Sequence, residues 1–228
     1  MKVMKHSVQL LLLSLAIVGA VARAAPGAPP APPTFALTDT PDGKLGTVPS
    51  GMGLKVGSKA PSLTLDSITG GQQSLAELYA QGPTFVVFYR GGWCPFCNLQ
   101  MHNLSLAKAE FDQIGVKLVA ISVDLPTEEA KTQAKHSVPF PMLSDPKLKA
   151  HQAFRVVHVA PEPEQKALAG FGIDLTTYSG EAHKSFAVPS IFLVDKQGVI
   201  RFVHVDEDYK TRPSVKQMLA IATKSLKK

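Results

Sequence analysis

Cys94 and Cys97 are the only cysteines in the 228-residue chain, three positions apart in the stretch YRGGWCPFCNLQ. A C-x-x-C pair brings two thiols within disulfide reach. As a structural staple it would do little, because a bridge between residues three apart closes almost no loop. As a metal site it supplies two ligands where four are wanted, with no second pair and no nearby cluster among the seven scattered histidines. His102, the nearest, reads as a helix-face residue. Two inert, buried thiols are the bland alternative. Against it, both cysteines stand at one strand-to-helix turn, behind Trp93, in a chain otherwise free of cysteine. Local dithiol redox chemistry is the reading that remains.

That chemistry needs a particular local geometry. Gly91 and Gly92 let the backbone turn after an apolar run, and Pro95 suits the first position of a helix, where a missing N–H costs nothing. Cys94 is then expected at the helix N-cap, facing outward, where free N–H groups and the helix dipole favour a thiolate. Cys97 falls one turn in, on a stripe with Met101, Leu104, Ala107, Phe111 and Ile114. On this reasoning Cys94 attacks and Cys97 closes the ring.

The surrounding elements follow the same logic. SLTLDSITGGQQSL reads as a short strand, a Gly-Gly turn and a helix entry; TFVVFY, 84–89, as a fully buried central strand. KLVAISV, 117–123, is a second buried strand, followed by a polar helix over 127–136, FPMLSD and a short helix over 146–153. Residues 155–186, with Pro161, Pro163 and several glycines, read as a loop-like insertion. SIFLVD turns through Lys196-Gln197-Gly198 into VIRFVHV, a hairpin, and a last helix runs from about Pro213. A βαβ opening with a ββα close predicts an α/β, thioredoxin-like fold: a central mixed sheet flanked by helices.

The N-terminus predicts export. Lys2 and Lys5 precede an apolar stretch over residues 9–22, and Ala22-Arg23-Ala24 fits a small-x-small cleavage pattern, so 1–24 reads as a signal peptide. The competing reading, a membrane anchor, needs ~20 apolar residues. Residues 25–50, rich in Pro, Ala and Gly, read as a disordered linker, and 51–228 as the folded domain. Processing removes three of the 24 basic residues and none of the 18 acidic ones, leaving a net charge of +3. With no basic-aromatic cluster, nucleic acid is not an expected partner. The expected location is periplasmic or secreted, without stable membrane insertion.

Several stretches resemble the AhpC/TSA (redoxin) superfamily, in its peroxiredoxin-like branch with a C-x-x-C: VGSKAPSLTL, FVVFYRGGWCPFCNLQM, VKLVAISVD, FPMLSD, GFGIDL and VPSIFLVDKQGVIRFVHVDEDYKTRP. The resemblance runs from about Leu54 to the C-terminus. It implies a thioredoxin fold, no cofactor, and a thiol peroxidase that reduces hydrogen peroxide or organic hydroperoxides through a Cys94/Cys97 dithiol–disulfide cycle, recharged by a thioredoxin-like reductant. The family's P-x-x-x-T-x-x-C, laid on this chain, puts its attacking cysteine on Cys97, its proline on Arg90 and its threonine on Cys94. The family's distant arginine falls on Pro189. Pro189, after Val188, instead resembles the cis-proline that thioredoxins set against their C-x-x-C, which implies the alternative of a disulfide oxidoreductase acting on exported protein thiols. The resemblance thus points to Cys97 where the helix-cap argument points to Cys94. Arg90 and Arg212 are candidate sources of positive charge, weighed against solvated surface roles.

Overall fold

In the computed structural model, residues 35–226 are described. In chain order the elements are β1 (Thr38–Asp39), β2 (Thr64–Ser67), β3 (Gln72–Ser74), α1 (Leu75–Gln81), β4 (Thr84–Phe88), α2 (Pro95–Leu106) and α3 (Lys108–Gln113). β5 (Lys117–Ser122), α4 (Pro126–His136), β6 (Met142–Ser144), α5 (Lys149–Ala153), β7 (Val157–Val159), α6 (Glu162–Gly170) and α7 (Leu175–Ser179) follow. The chain closes with β8 (Ser185–Ala187), β9 (Ser190–Val194), β10 (Ile200–Val205), β11 (Thr211–Arg212) and α8 (Val215–Ser225).

Seven strands form one mixed sheet in the order β10-β9-β4-β5-β6-β2-β3. β4 and β5 run parallel, as do β5 and β6, while β9 lies antiparallel to β4. Because side chains alternate along a strand, the wholly buried β4 feeds two cores. Phe85 and Val87, with Tyr89 just beyond the strand, join Cys97, Met101, Leu104 and Phe111 on one face; Val86 and Phe88 join Leu75, Tyr79, Phe154 and Phe192 on the other. The architecture is thioredoxin-like: a central mixed sheet covered by helices, as expected.

Three details differ from the sequence reading. The helix expected to run from Pro95 to Ile114 ends at Leu106, where Ala107 turns the chain into α3, and Ile114 is exposed. The 155–186 region is no plain loop: β7 pairs with β8 as a separate two-stranded sheet, with α6 and α7 between them. Its helix signal was obscured because α6 has no buried residue to give it an apolar stripe. Third, the proposed linker 25–50 is partly folded. From Phe35 onward it forms an arm whose β1 pairs in parallel with β11, burying Thr40. The rest of that linker and the expected signal peptide lie outside the described residues. No helix among the described residues is long and apolar enough to cross a membrane.

One side chain ties this arm to α8. Gln217 Nε2 donates to the Thr40 carbonyl (2.7 Å) and to Asp42 Oδ1 (2.8 Å), while its Oε1 accepts the Ser214 N–H (2.9 Å) in a capping box. We predict that Gln217→Ala lowers stability by about 1–2 kcal/mol in urea titration and speeds hydrogen exchange at the Thr40 amide, which is otherwise held by the Arg212 carbonyl.

Candidate active site

The C-x-x-C sits where β4 gives way to α2. Gly91 has φ +145°, and a Cβ there would lie 2.4 Å from Trp93 Nε1 and 2.7 Å from Asp124 Oδ1. At Gly92 a Cβ would lie 1.9 Å from Thr132 Oγ1. The two glycines therefore permit the turn and its tight packing on Asp124 and α4. Gly92 N–H donates to Asp124 Oδ2 (2.7 Å), and Asn98 Nδ2 donates to the Gly92 carbonyl (2.8 Å), so the turn is pinned from both sides. Cys94 is the N-cap of α2 and Pro95 its first residue, as the sequence predicts.

The expected outward exposure of Cys94 is not observed. Cys94 is 1% exposed and Cys97 is fully buried. Rings close over the turn: Phe186 packs edge-on against Trp93, and Tyr209 against Phe96. The two sulfurs are free thiols 2.9 Å apart. Neither arginine takes the solvated role weighed above: Arg90 is 6% and Arg212 3% exposed. Arg212 Nη2 stands 3.8 Å from Cys97 Sγ, and its Nε donates to Gln100 Oε1 (3.1 Å). Because a guanidinium only donates, this contact also fixes which way the Gln100 amide faces.

These surroundings treat the two thiols oppositely. Burial pushes the Cys97 thiol up, but the hydrogen bond from Cys94, the Arg212 charge, the Arg90 backbone N–H and the Arg90 charge together bring it down to about 6. The hydrogen bond to Cys97, burial and the Cys97 charge hold Cys94 far above the usual thiol range. With Arg212 beside Cys97, a single negative charge on the pair is favoured on that sulfur.

Behind the turn lies a buried acid network. Tyr89 donates its hydroxyl to Glu129 Oε2, Ser122 Oγ donates to Glu129 Oε1 (2.7 Å), and Ser122 Oγ accepts the Asp124 N–H (3.0 Å). Burial raises Glu129 to about 8, with the Asp124 charge adding to it. Asp124, raised chiefly by burial although the Gly92 N–H opposes this, reaches about 7. Sequence reasoning missed both acids; the only signal was a charged residue closing an apolar strand, in ISVD, and a glutamate within a polar helix.

Pro189 needs correction: no peptide bond among the described residues is cis. The chain enters β9 through ordinary hydrogen bonds, the Pro189 carbonyl accepting the Asp206 N–H (3.1 Å) and the Val188 carbonyl the Ser190 hydroxyl (2.6 Å). Pro189 does share a cleft of about 100 Å³ with Arg90, His158, Glu164, Glu207 and Tyr209. His158 and Glu164 come from the insertion, where nothing in the sequence marked them.

The model of the AhpC/TSA family matches residues 56–203. MT2597 of Mycobacterium tuberculosis (strain CDC 1551 / Oshkosh) is 34% identical over 93 residues, 41% of this chain, and the chain spans 59% of that relative's length. Peroxiredoxin Bcp of Bacillus subtilis (strain 168) is 27% identical over 147 residues, covering 64% of this chain and 82% of its own. Among solved structures, Peroxidoxin BcpB from Mycobacterium tuberculosis superimposes with a TM-score of 0.56 at 21% identity, over 77% of this chain and 95% of that one. Reduced Prx3 of Vibrio vulnificus gives 0.60 at 16% identity, over 73% and 97%. At these identities the structures establish the shared fold.

Two expectations follow from the geometry. Arg212→Gln should move the thiolate absorbance midpoint of Cys97 up from about 6 by roughly one unit, read at 240 nm against a Cys97→Ser blank. Separately, a carboxyl whose folded pKa is raised contributes stability that is present below its unfolded pKa and lost as pH rises through the folded one. For Glu129 that window runs from the ordinary carboxyl range to about 8. Glu129→Gln should therefore flatten the fall in stability between pH 5 and pH 9 by ~1 kcal/mol or more, measured by denaturant titration at both values.

Proposed function

Because the chain belongs to the AhpC/TSA family, we propose that it is a thiol peroxidase in which Cys97 attacks the peroxide and Cys94 resolves the product. The observation that carries this is the position of Arg212, whose Nη2 stands 3.8 Å from Cys97 Sγ and draws negative charge to that sulfur. This favours Cys97 over the Cys94 assignment that helix-cap exposure suggested.

The Cys97 thiolate attacks the hydroperoxide oxygen that bears hydrogen. The O–O bond breaks, Cys97 becomes a sulfenic acid, and the leaving alkoxide or hydroxide takes up a proton. Cys97 is then neutral, and the charge that kept the proton on Cys94 is gone. Cys94 ionises, attacks the sulfenic sulfur and expels the oxygen as water, leaving a Cys94–Cys97 disulfide. An external dithiol of thioredoxin type returns two electrons and two protons by exchange. In this way one interaction, the like-charge penalty between two close sulfurs, orders the steps. Export by residues 1–24, with action outside the cytoplasm, is part of the proposal.

The alternative, exchange with protein disulfides, requires a protein-sized partner to reach the first attacking sulfur. With both sulfurs buried, a small peroxide fits the reduced state better.

Stopped-flow mixing of reduced protein with hydrogen peroxide, followed by peptide mapping with a sulfenic-acid probe, tests the proposal. We expect a second-order rate far above that of free cysteine, label on Cys97 in Cys94→Ser, and loss of the fast reaction in Cys97→Ser. A fast reaction retained in Cys97→Ser, with label on Cys94, would overturn the assignment. A rate no better than free cysteine, beside efficient reduction of insulin disulfides, would favour the alternative.

A further inference from the structure

Arg90 is an unusual place to put a charge. Its guanidinium carbon lies 4.8 Å from the Trp93 ring centroid, 4.6 Å from Phe186 and 4.4 Å from Tyr209, so three rings surround it. Cation–π contacts attract the group to the rings, but a ring face sets no single orientation. Direction comes from the insertion. Glu164 Oε1 accepts from Arg90 Nη2 at 2.8 Å, and Glu164 Oε2 is 2.6 Å from His158 Nε2. Glu164 itself lies in the first turn of α6, where the helix dipole suits a carboxylate. His158 stands opposite Phe186 in the β7–β8 register, their rings 5.0 Å apart. The clamp thus joins α6 to the small sheet, with Glu164 on the helix and His158 on the strand. The charged and titratable groups around Glu164 are Arg90, His158, Glu207 and Tyr209, which share its cleft.

We propose that Glu164 is a positioning residue for the thiol chemistry: it holds Arg90 against the ring cage so that the guanidinium acts on the cysteine pair from a fixed place. Without the clamp only the rings hold the guanidinium, and ring faces alone set no one place for its charge beside the turn that carries the cysteines. This gives the 155–186 insertion a task, that of supplying the clamp. The inference rests on the reading of Cys97 as the attacking thiolate, and its test separates the two.

Glu164→Gln keeps an oxygen for Arg90 but removes the negative charge. Glu164→Ala removes both. With the charge gone, the Cys97 thiolate midpoint should fall by roughly half a unit or more in Glu164→Gln, while the hydrogen peroxide rate per thiolate stays within about threefold of the unaltered protein. In Glu164→Ala the rate per thiolate should drop about tenfold or more, because the arginine is no longer held. Glu162→Gln, on the exposed side of the same helix where Glu162 pairs with Lys166, should change neither quantity. If Glu164→Gln leaves the midpoint unmoved and Glu164→Ala reacts within twofold of the unaltered protein, with only thermal stability altered, Glu164 is a structural residue and the inference fails. That result leaves the peroxidase reading standing. If the unaltered protein shows no fast Cys97 reaction, both fail together.

Discussion

Two sulfurs 2.9 Å apart in an almost dry turn cannot readily both be charged. That constraint makes the pair useful. With one negative charge to place, small differences in the surroundings decide which sulfur holds it, and the other is obliged to keep its proton. On the proposed reading, a chemically symmetrical motif becomes asymmetrical through the charges set around it, Arg212 first among them. The closeness of the sulfurs follows from backbone events: a turn that only glycines accommodate at its tightest points, and a proline that starts the helix at once.

The charge balance is then assembled from parts far apart in the chain. Arg90 belongs to the turn itself, Arg212 to a short strand near the C-terminus, and the Glu164 carboxylate to the insertion. Beneath the turn, Asp124 and Glu129 sit in the same low-dielectric region, and their raised pKa values record how strongly it resists additional negative charge. The protein meets this by pairing each buried charge or hydrogen-bonding it. Tyr89 and Ser122 serve Glu129, Gly92 serves Asp124, and Gln100 serves Arg212.

What the sequence disclosed and what it withheld divide along physical lines. The unbroken run TFVVFY and the Gly-Gly-Trp-Cys-Pro turn carry local signals, periodicity and backbone demand, and both were readable. The helix cap at Cys94 was readable for the same reason. Its burial was not, because exposure depends on rings such as Phe186 and Tyr209, which arrive from remote segments. The roles of Arg90 and Arg212 were ambiguous because a lone arginine has the same local signature on a surface as in a buried cage. The insertion was opaque because α6 and α7 are short, and α6 offers no apolar stripe. Pro189 shows the opposite error: a motif-level likeness suggested an isomer that the hydrogen bonding at the entry to β9 does not require.

The parallel pairing of β1 with β11 involves only Thr38 with Thr211 and Asp39 with Arg212, and it lies outside the seven-stranded sheet. It is a clip of two rungs, joined to the body through Gln217, the buried Thr40 and the edge-on packing of Phe35 against Phe96. The second rung of that clip pairs Asp39 with Arg212, the residue whose guanidinium stands 3.8 Å from Cys97 Sγ. The amino-terminal arm, remote in sequence from the cysteine turn, thus lies one rung from the charge beside the buried sulfur.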